Sequence, residues 1–177
     1  MVSLPPLSGY SIWLLPEQKD FEFIREIIRE LADFSGSVLF SPHCTLHSFP
    51  AETGHEKMNN VVDNLLRQTG KLTIPVKDIR SDNQNYQSLY VQLKYTQELK
   101  QIKKECTNNQ DPKAVENYQP HISLYYGNME LSEKKKFRTK FKNILPDAVT
   151  FDRLAIIKLE ENVENWETLR ETELIQF

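Results

Sequence analysis

Two histidines of this 177-residue chain sit in the same five-residue setting, Pro42-His43-Cys44-Thr45-Leu46 and Pro120-His121-Ile122-Ser123-Leu124. Each stretch is a proline, a histidine, a spacer, a hydroxyl residue and a leucine, which reads as one site built from two related halves. An imidazole with its ordinary pKa of about 6.5 can take or give a proton near neutral pH, so two of them can divide the labour. Opening a cyclic phosphodiester with water needs that division: a base activates the water and an acid protonates the departing sugar oxygen. Charge also builds on the non-bridging oxygens, and a hydroxyl two residues along a strand shares a face with the histidine and can donate there. His43 and His121 are therefore the candidate catalytic pair, and Thr45 and Ser123 the candidate phosphate binders.

A metal site is the rival reading, because four histidines are present. His43 and His47 have a spacing that converges on one ion only from a helix. On a strand, at roughly 3.3 Å per residue, they stand about 13 Å apart. No metal and no cofactor is expected. His47 shares the predicted face of His43 further along the strand, where it lines the rim of a cleft or simply meets solvent. Cys44 points the other way, as a small buried hydrophobe. With Cys106 it makes too few cysteines for a disulfide framework and lacks metal-ligand spacing, which fits a reducing compartment.

The elements that must position these residues follow from periodicity. Residues 11–15 form a short apolar run stopped by Pro16, a buried strand. Phe21, Ile24, Ile27, Ile28, Leu31 and Phe34 recur at helical steps, giving an amphipathic helix ended near Gly36. Residues 38–49 read as the first motif strand. Thr53 and Glu56 have capping-box spacing before a second helix with Met58, Val61, Val62, Leu65 and Leu66 inside. Residues 72–79 read as an edge strand because of Pro75, and 86–95 as another strand. Thr96 caps a third helix through Cys106, and 108–118 read as a loop. Residues 120–126 carry the second motif strand, a fourth helix follows from Leu131, and 148–159 and 169–177 read as two closing strands.

The two halves match in element order, and in spacing too: 31 residues separate Ile12 from His43 and 32 separate Leu89 from His121. The expected fold is α+β, a single domain over residues 1–177 made of two intertwined lobes. In this pseudo-twofold duplication, two antiparallel sheets carry helices on their outer faces and hold the site in the cleft between them.

Composition narrows the ligand. Hydrophobic residues make up 39% and charged residues 27%, an ordinary globular profile. The formal charge of −3 gives no broad positive field, so a small anion in a pocket fits better than long RNA. Lys134, Lys135, Lys136, Arg138, Lys140 and Lys142 crowd one helix, and a solvated face is the usual meaning of such a run. No leader or membrane-spanning segment is recognisable, so a soluble intracellular protein, cytoplasmic and monomeric, is expected.

The paired His-x-Thr/Ser-x motifs resemble those of the 2H phosphoesterase superfamily. Within it, Tyr10-Ser11-Ile12-Trp13-Leu14-Leu15-Pro16 and His121-Ile122-Ser123-Leu124-Tyr125-Tyr126-Gly127 resemble the plant and fungal cyclic phosphodiesterases. The resemblance implies metal-independent hydrolysis of ADP-ribose 1'',2''-cyclic phosphate to ADP-ribose 1''-phosphate downstream of tRNA splicing, and of nucleoside 2',3'-cyclic phosphates to 2'-phosphates. It also implies that Trp13, Tyr86 and Tyr126 stand around the ligand, although simple alternation puts Tyr125 rather than Tyr126 on the face of His121. Gly127 would let the strand end twist to accommodate that. The alternatives are a 2H enzyme that processes RNA ends and a non-catalytic nucleotide-binding module.

Overall fold

A computed structural model describes residues 7–108 and 110–175. It is an α+β fold in which seven strands share one antiparallel sheet: β1 (Gly9–Pro16), β2 (Cys44–Phe49), β3 (Leu72–Ser81), β4 (Leu89–Leu93), β5 (His121–Tyr125), β6 (Ala148–Leu159) and β7 (Glu167–Glu173). The order is β1-β2-β5-β4-β3-β6-β7, and β6 also pairs along β1, so the first six strands close a ring of pairings. The two sheets expected from the sequence are thus joined in one ladder. At one junction β2 meets β5 through a single pair, Cys44 and Ile122, the spacers of the two motifs.

Exchanging the halves reproduces the pairing order, with β1, β2 and β3 standing for β4, β5 and β6. The register agrees in detail. Trp13 pairs with Thr45 as Tyr90 pairs with Ser123, and each ladder carries one irregularity at the same place. In both, one step along the first strand answers two along the motif strand, leaving Leu46 and Leu124 as the extra residues of β-bulges. Both leucines are fully buried. β7 lies outside the repeated pattern and is hairpinned onto β6.

Helices α1 (Gln18–Ser35), α2 (His55–Leu66), α3 (Gln97–Cys106), α4 (Pro112–Glu116) and α5 (Leu131–Lys142) cover the sheet. Their apolar stripes, among them Ile24, Ile28, Leu31, Met58, Leu65, Leu99 and Phe141, meet Ile12, Leu14, Cys44, Leu46, Val91, Ile122 and Leu124 in the main core. A smaller cluster of Trp13, Leu15, Ala155, Ile157 and Leu159 lies apart from it. Alternation along β1 explains the split, since even positions 12 and 14 join one cluster and odd positions 13 and 15 the other. Gly36 closes α1 at φ 66°, a left-handed cap with its amide bonded to Ala32.

Several boundaries differ from the sequence reading. β2 begins at Cys44, not residue 38, because Pro42 has no amide to donate and the Ser41 carbonyl serves the His43 ring. No capping box forms at Thr53 and Glu56: the cap of α2 is Gly54, with no side-chain bond. β3 is not an edge strand. It pairs with β6 over residues 72–75 and with β4 over 76–81, and Pro75 sits at the changeover, where its carbonyl accepts from the Lys94 amide. β4 is shorter than expected, since residues 85–87 form a 3-10 turn ahead of it. The stretch expected as a loop contains α4, started by Asp111 accepting from the Ala114 amide. Thr96 caps α3 as expected. The closing strand runs from Glu167 to Glu173, and positions 176–177 of its expected span lie outside the described residues.

Candidate active site

His43, Thr45, His121, Ser123, Trp13, Tyr86 and Tyr126 all line one cavity of about 240 Å³. The histidines are delivered in the same way. His43 Nδ1 lies 2.7 Å from the Ser41 carbonyl, and His121 Nδ1 lies 2.8 Å from the Gln119 carbonyl. A carbonyl can only accept, so Nδ1 carries the proton and Nε2 is left with its lone pair for chemistry. Each ring is also packed by an aromatic from the neighbouring strand. Trp13 stacks on His43 with centroids 3.5 Å apart and planes 8° apart, and Tyr90 meets His121 edge-on at 5.3 Å.

Burial sets the electrostatics. It pushes His43 down to about 4 against the upward pull of the Ser41 carbonyl, and nearby His121 adds a smaller downward push. His121 is lowered as well, again by burial, with the Gln119 carbonyl opposing. Burial thus favours the neutral form of both imidazoles. A bound phosphate anion would raise both, because it stabilises the charged ring.

The bulges decide which residues face the cavity beyond the motifs. The extra leucine shifts the alternation by one, so Tyr126 and not Tyr125 reaches the cavity in the second half. This shift accounts for the placement of Tyr126, and the chain then turns at Gly127, which takes φ 123°. In the first half the same shift brings Ser48 to the cavity. His47 is carried off the site face, a correction to simple alternation. Its ring stands edge-on to Phe49 at 4.5 Å, and burial followed by the charges of Lys103 and Lys57 holds it near 4.

The backbone of the first bulge is held from behind. Lys103, itself buried, donates to the Leu46 carbonyl at 2.6 Å, and Tyr118 donates to the Thr45 carbonyl at 2.8 Å. The Lys103 ammonium lies 4.8 Å from the centre of the Tyr118 ring. Cys44 is buried on this side beside Tyr118, and burial pushes its thiol up to about 11, which suits a packing role. In the second half, Gln92 Nε2 donates to the Pro120 carbonyl at 2.8 Å.

Ser123 donates to the Tyr86 carbonyl at 2.8 Å, so its proton must turn to reach a phosphate. Trp13 is only 5% exposed and Tyr126 only 3%. One face of Trp13 is covered by His43, and one face of Tyr126 by Phe40 at 3.7 Å. The sequence reading missed Ser11, Ser48, Gln84, Gln87 and Trp166, which also line the cavity. Ser48 was within reach, since it lies five positions after His43 as Tyr126 lies five after His121. Among the described residues no three His, Cys, Asp or Glu side chains are grouped to hold a metal ion.

A family model described as cyclic phosphodiesterase-like protein matches residues 8–174. The chain belongs to this family of 2H phosphoesterases. It is 24% identical over 168 residues to the cyclic phosphodiesterase of Arabidopsis thaliana, covering 90% of this chain and 92% of that one. It is 22% identical over 195 residues to a 2',3'-cyclic-nucleotide 3'-phosphodiesterase of Phaeosphaeria nodorum, covering 95% and 100%. Its fold is similar to that of E. coli LigT solved with 3'-AMP, at a TM-score of 0.58 and 16% identity, covering 96% and 99% of the two chains.

Proposed function

We propose that this chain hydrolyses ADP-ribose 1'',2''-cyclic phosphate to ADP-ribose 1''-phosphate, and nucleoside 2',3'-cyclic phosphates to 2'-phosphates, without a metal, on intermediates left by tRNA splicing. The observation that carries the reading is the convergence of both motif histidines and both motif hydroxyls on one cavity. One Nε2 takes a proton from water as its oxygen bonds to phosphorus. The bond from phosphorus to O2'' (O3' in the nucleoside substrates) breaks, and the second imidazole, protonated, gives its proton to that oxygen. Thr45 and Ser123 meet the charge on the non-bridging oxygens. Trp13 fixes the His43 ring, and Tyr126, whose phenol burial holds protonated, walls the site.

The test is to incubate purified protein with each cyclic phosphate in the presence of a chelator and follow the monoester product. Turnover is expected to survive chelation, and its loss would overturn the metal-free mechanism. His43→Ala and His121→Ala are each expected to lose about 10²- to 10⁴-fold in kcat. A variant with a near-normal rate would remove that histidine from the pair.

A further inference from the structure

Trp166 is placed in the cavity by the connection from β6 to β7, the strand that lies outside the repeated pattern. It follows a 3-10 turn, Val163–Asn165, in the connection from β6 to β7. Its indole Nε1–H donates to the Glu160 carbonyl at 2.9 Å, which fixes the ring across the turn. The ring adjoins Trp13 at 5.7 Å, Tyr126 at 6.2 Å and Tyr86 at 6.3 Å, with the planes of Tyr86 and Trp166 only 28° apart. Trp13 and Tyr126 are nearly buried, whereas Tyr86 and Trp166 keep part of their surface open.

We propose that Trp166, beside Tyr86, is the surface on which the base of a cyclic-phosphate nucleotide stacks, and that it sets the preference for nucleotides over cyclic phosphates without a base. The inference rests on the phosphodiesterase reading and adds the residue that reads the rest of the substrate. The cavity has two chemically distinct ends. His43, Thr45, His121 and Ser123 suit a phosphate, and a pinned indole beside a phenol suits a π face. Gln84 and Gln87 line the same cavity and offer amides that can both donate and accept at the edge of a base. The indole is already held by its own hydrogen bond, so little ordering is required when a base arrives.

The experiment compares wild type, Trp166→Ala and Trp166→Phe on adenosine 2',3'-cyclic phosphate and on glycerol 1,2-cyclic phosphate, which has the same five-membered ring and no base. Base stacking on an aromatic is worth about 1–3 kcal/mol by alanine substitution. Trp166→Ala is therefore expected to lose roughly five- to a hundredfold in kcat/KM on the nucleotide, chiefly through KM. Trp166→Phe should retain most of the wild-type value, and the loss in Trp166→Ala should be several-fold smaller on the glycerol compound than on the nucleotide. Calorimetry with adenosine 2'-monophosphate and with inorganic phosphate gives a readout independent of turnover. The alanine variant should lose affinity for the first alone. An equal loss on both cyclic phosphates, or unchanged binding of the adenosine monophosphate by Trp166→Ala, overturns the stacking role. Failure of the wild type to open either cyclic phosphate, with nucleotide binding intact, counts instead against the phosphodiesterase reading.

Discussion

An imidazole held neutral by burial is charged easily only when an anion arrives beside it. Both motif histidines are in that state, His43 at about 4 and His121 below its ordinary value. The profile of kcat/KM reports the free protein, so it is expected to be a bell centred on the acid side of pH 6.5. The kcat profile should lie at higher pH, because bound phosphate favours the charged rings. Coincident profiles centred above pH 7 would show that the empty site does not depress these groups. Burial of His43 also links stability to pH. Folded His43 takes its proton near pH 4 and the unfolded chain near 6.5, so between these values the unfolded state holds more protons. This contribution is fully present above about pH 6.5 and is lost as pH falls through the window, by roughly 3 kcal/mol in all. Urea midpoints of wild type and His43→Asn should converge as pH is lowered to 4. A constant gap would mean that His43 is not buried in neutral form.

At the scale of elements, the bulges are what the site depends on. A bulge frees the carbonyl of its extra residue from the ladder, and at Leu46 that carbonyl is taken up by Lys103. Lys103→Met keeps the length of the side chain and removes the donor. It is expected to lower kcat about tenfold or more, and to cost stability of about 1–3 kcal/mol for the orphaned carbonyl. Lys103→Arg should recover part of the rate. Lost stability with an unchanged kcat would mean that the bulge holds without the lysine. Helix α1 was legible in the sequence because its apolar residues keep helical steps up to a glycine that can take φ 66°. The bulges were not. Leu46 and Leu124 look like ordinary inward residues of an alternating strand, and one extra residue exchanges the faces of everything beyond it. That is why His47 was placed near the site and Ser48 was not. It is also why Tyr125 competed with Tyr126 on paper. Pro75 misled for a related reason: it suits an edge, but here the strand changes partner at that residue.

Over the whole molecule, the matching pairing order of the two halves was legible because element order and motif spacing follow one pattern in both. The joining of two sheets into one ladder was not, since it turns on the single Cys44–Ile122 pair and on β6 serving both halves. Trp166 escaped notice because it stands in the acidic connection to β7, a strand outside the repeated pattern. The basic run of α5 also takes a different meaning in three dimensions. Lys134 is buried and donates to the Asp82 carbonyl, and Arg138 donates to the Ile79 carbonyl. Lys136, Lys140 and Lys142 face Glu133, Glu30 and Asp78. Two of these cations are tied into the fold and three exposed ones stand beside carboxylates, so single-stranded RNA should bind weakly and with a shallow dependence on salt. A steep salt slope in a filter-binding titration would restore the RNA-end reading. Among the described residues, no helix is long and apolar enough to cross a membrane.

The account rests on His43 and His121 flanking one phosphorus atom, and a crystal structure with orthovanadate tests this most directly. Both Nε2 atoms are expected within hydrogen-bond reach of oxygens on the same vanadate, with Thr45 and Ser123 on its remaining oxygens. A vanadate held by one imidazole alone, with the other ring turned away from it, would contradict the paired mechanism.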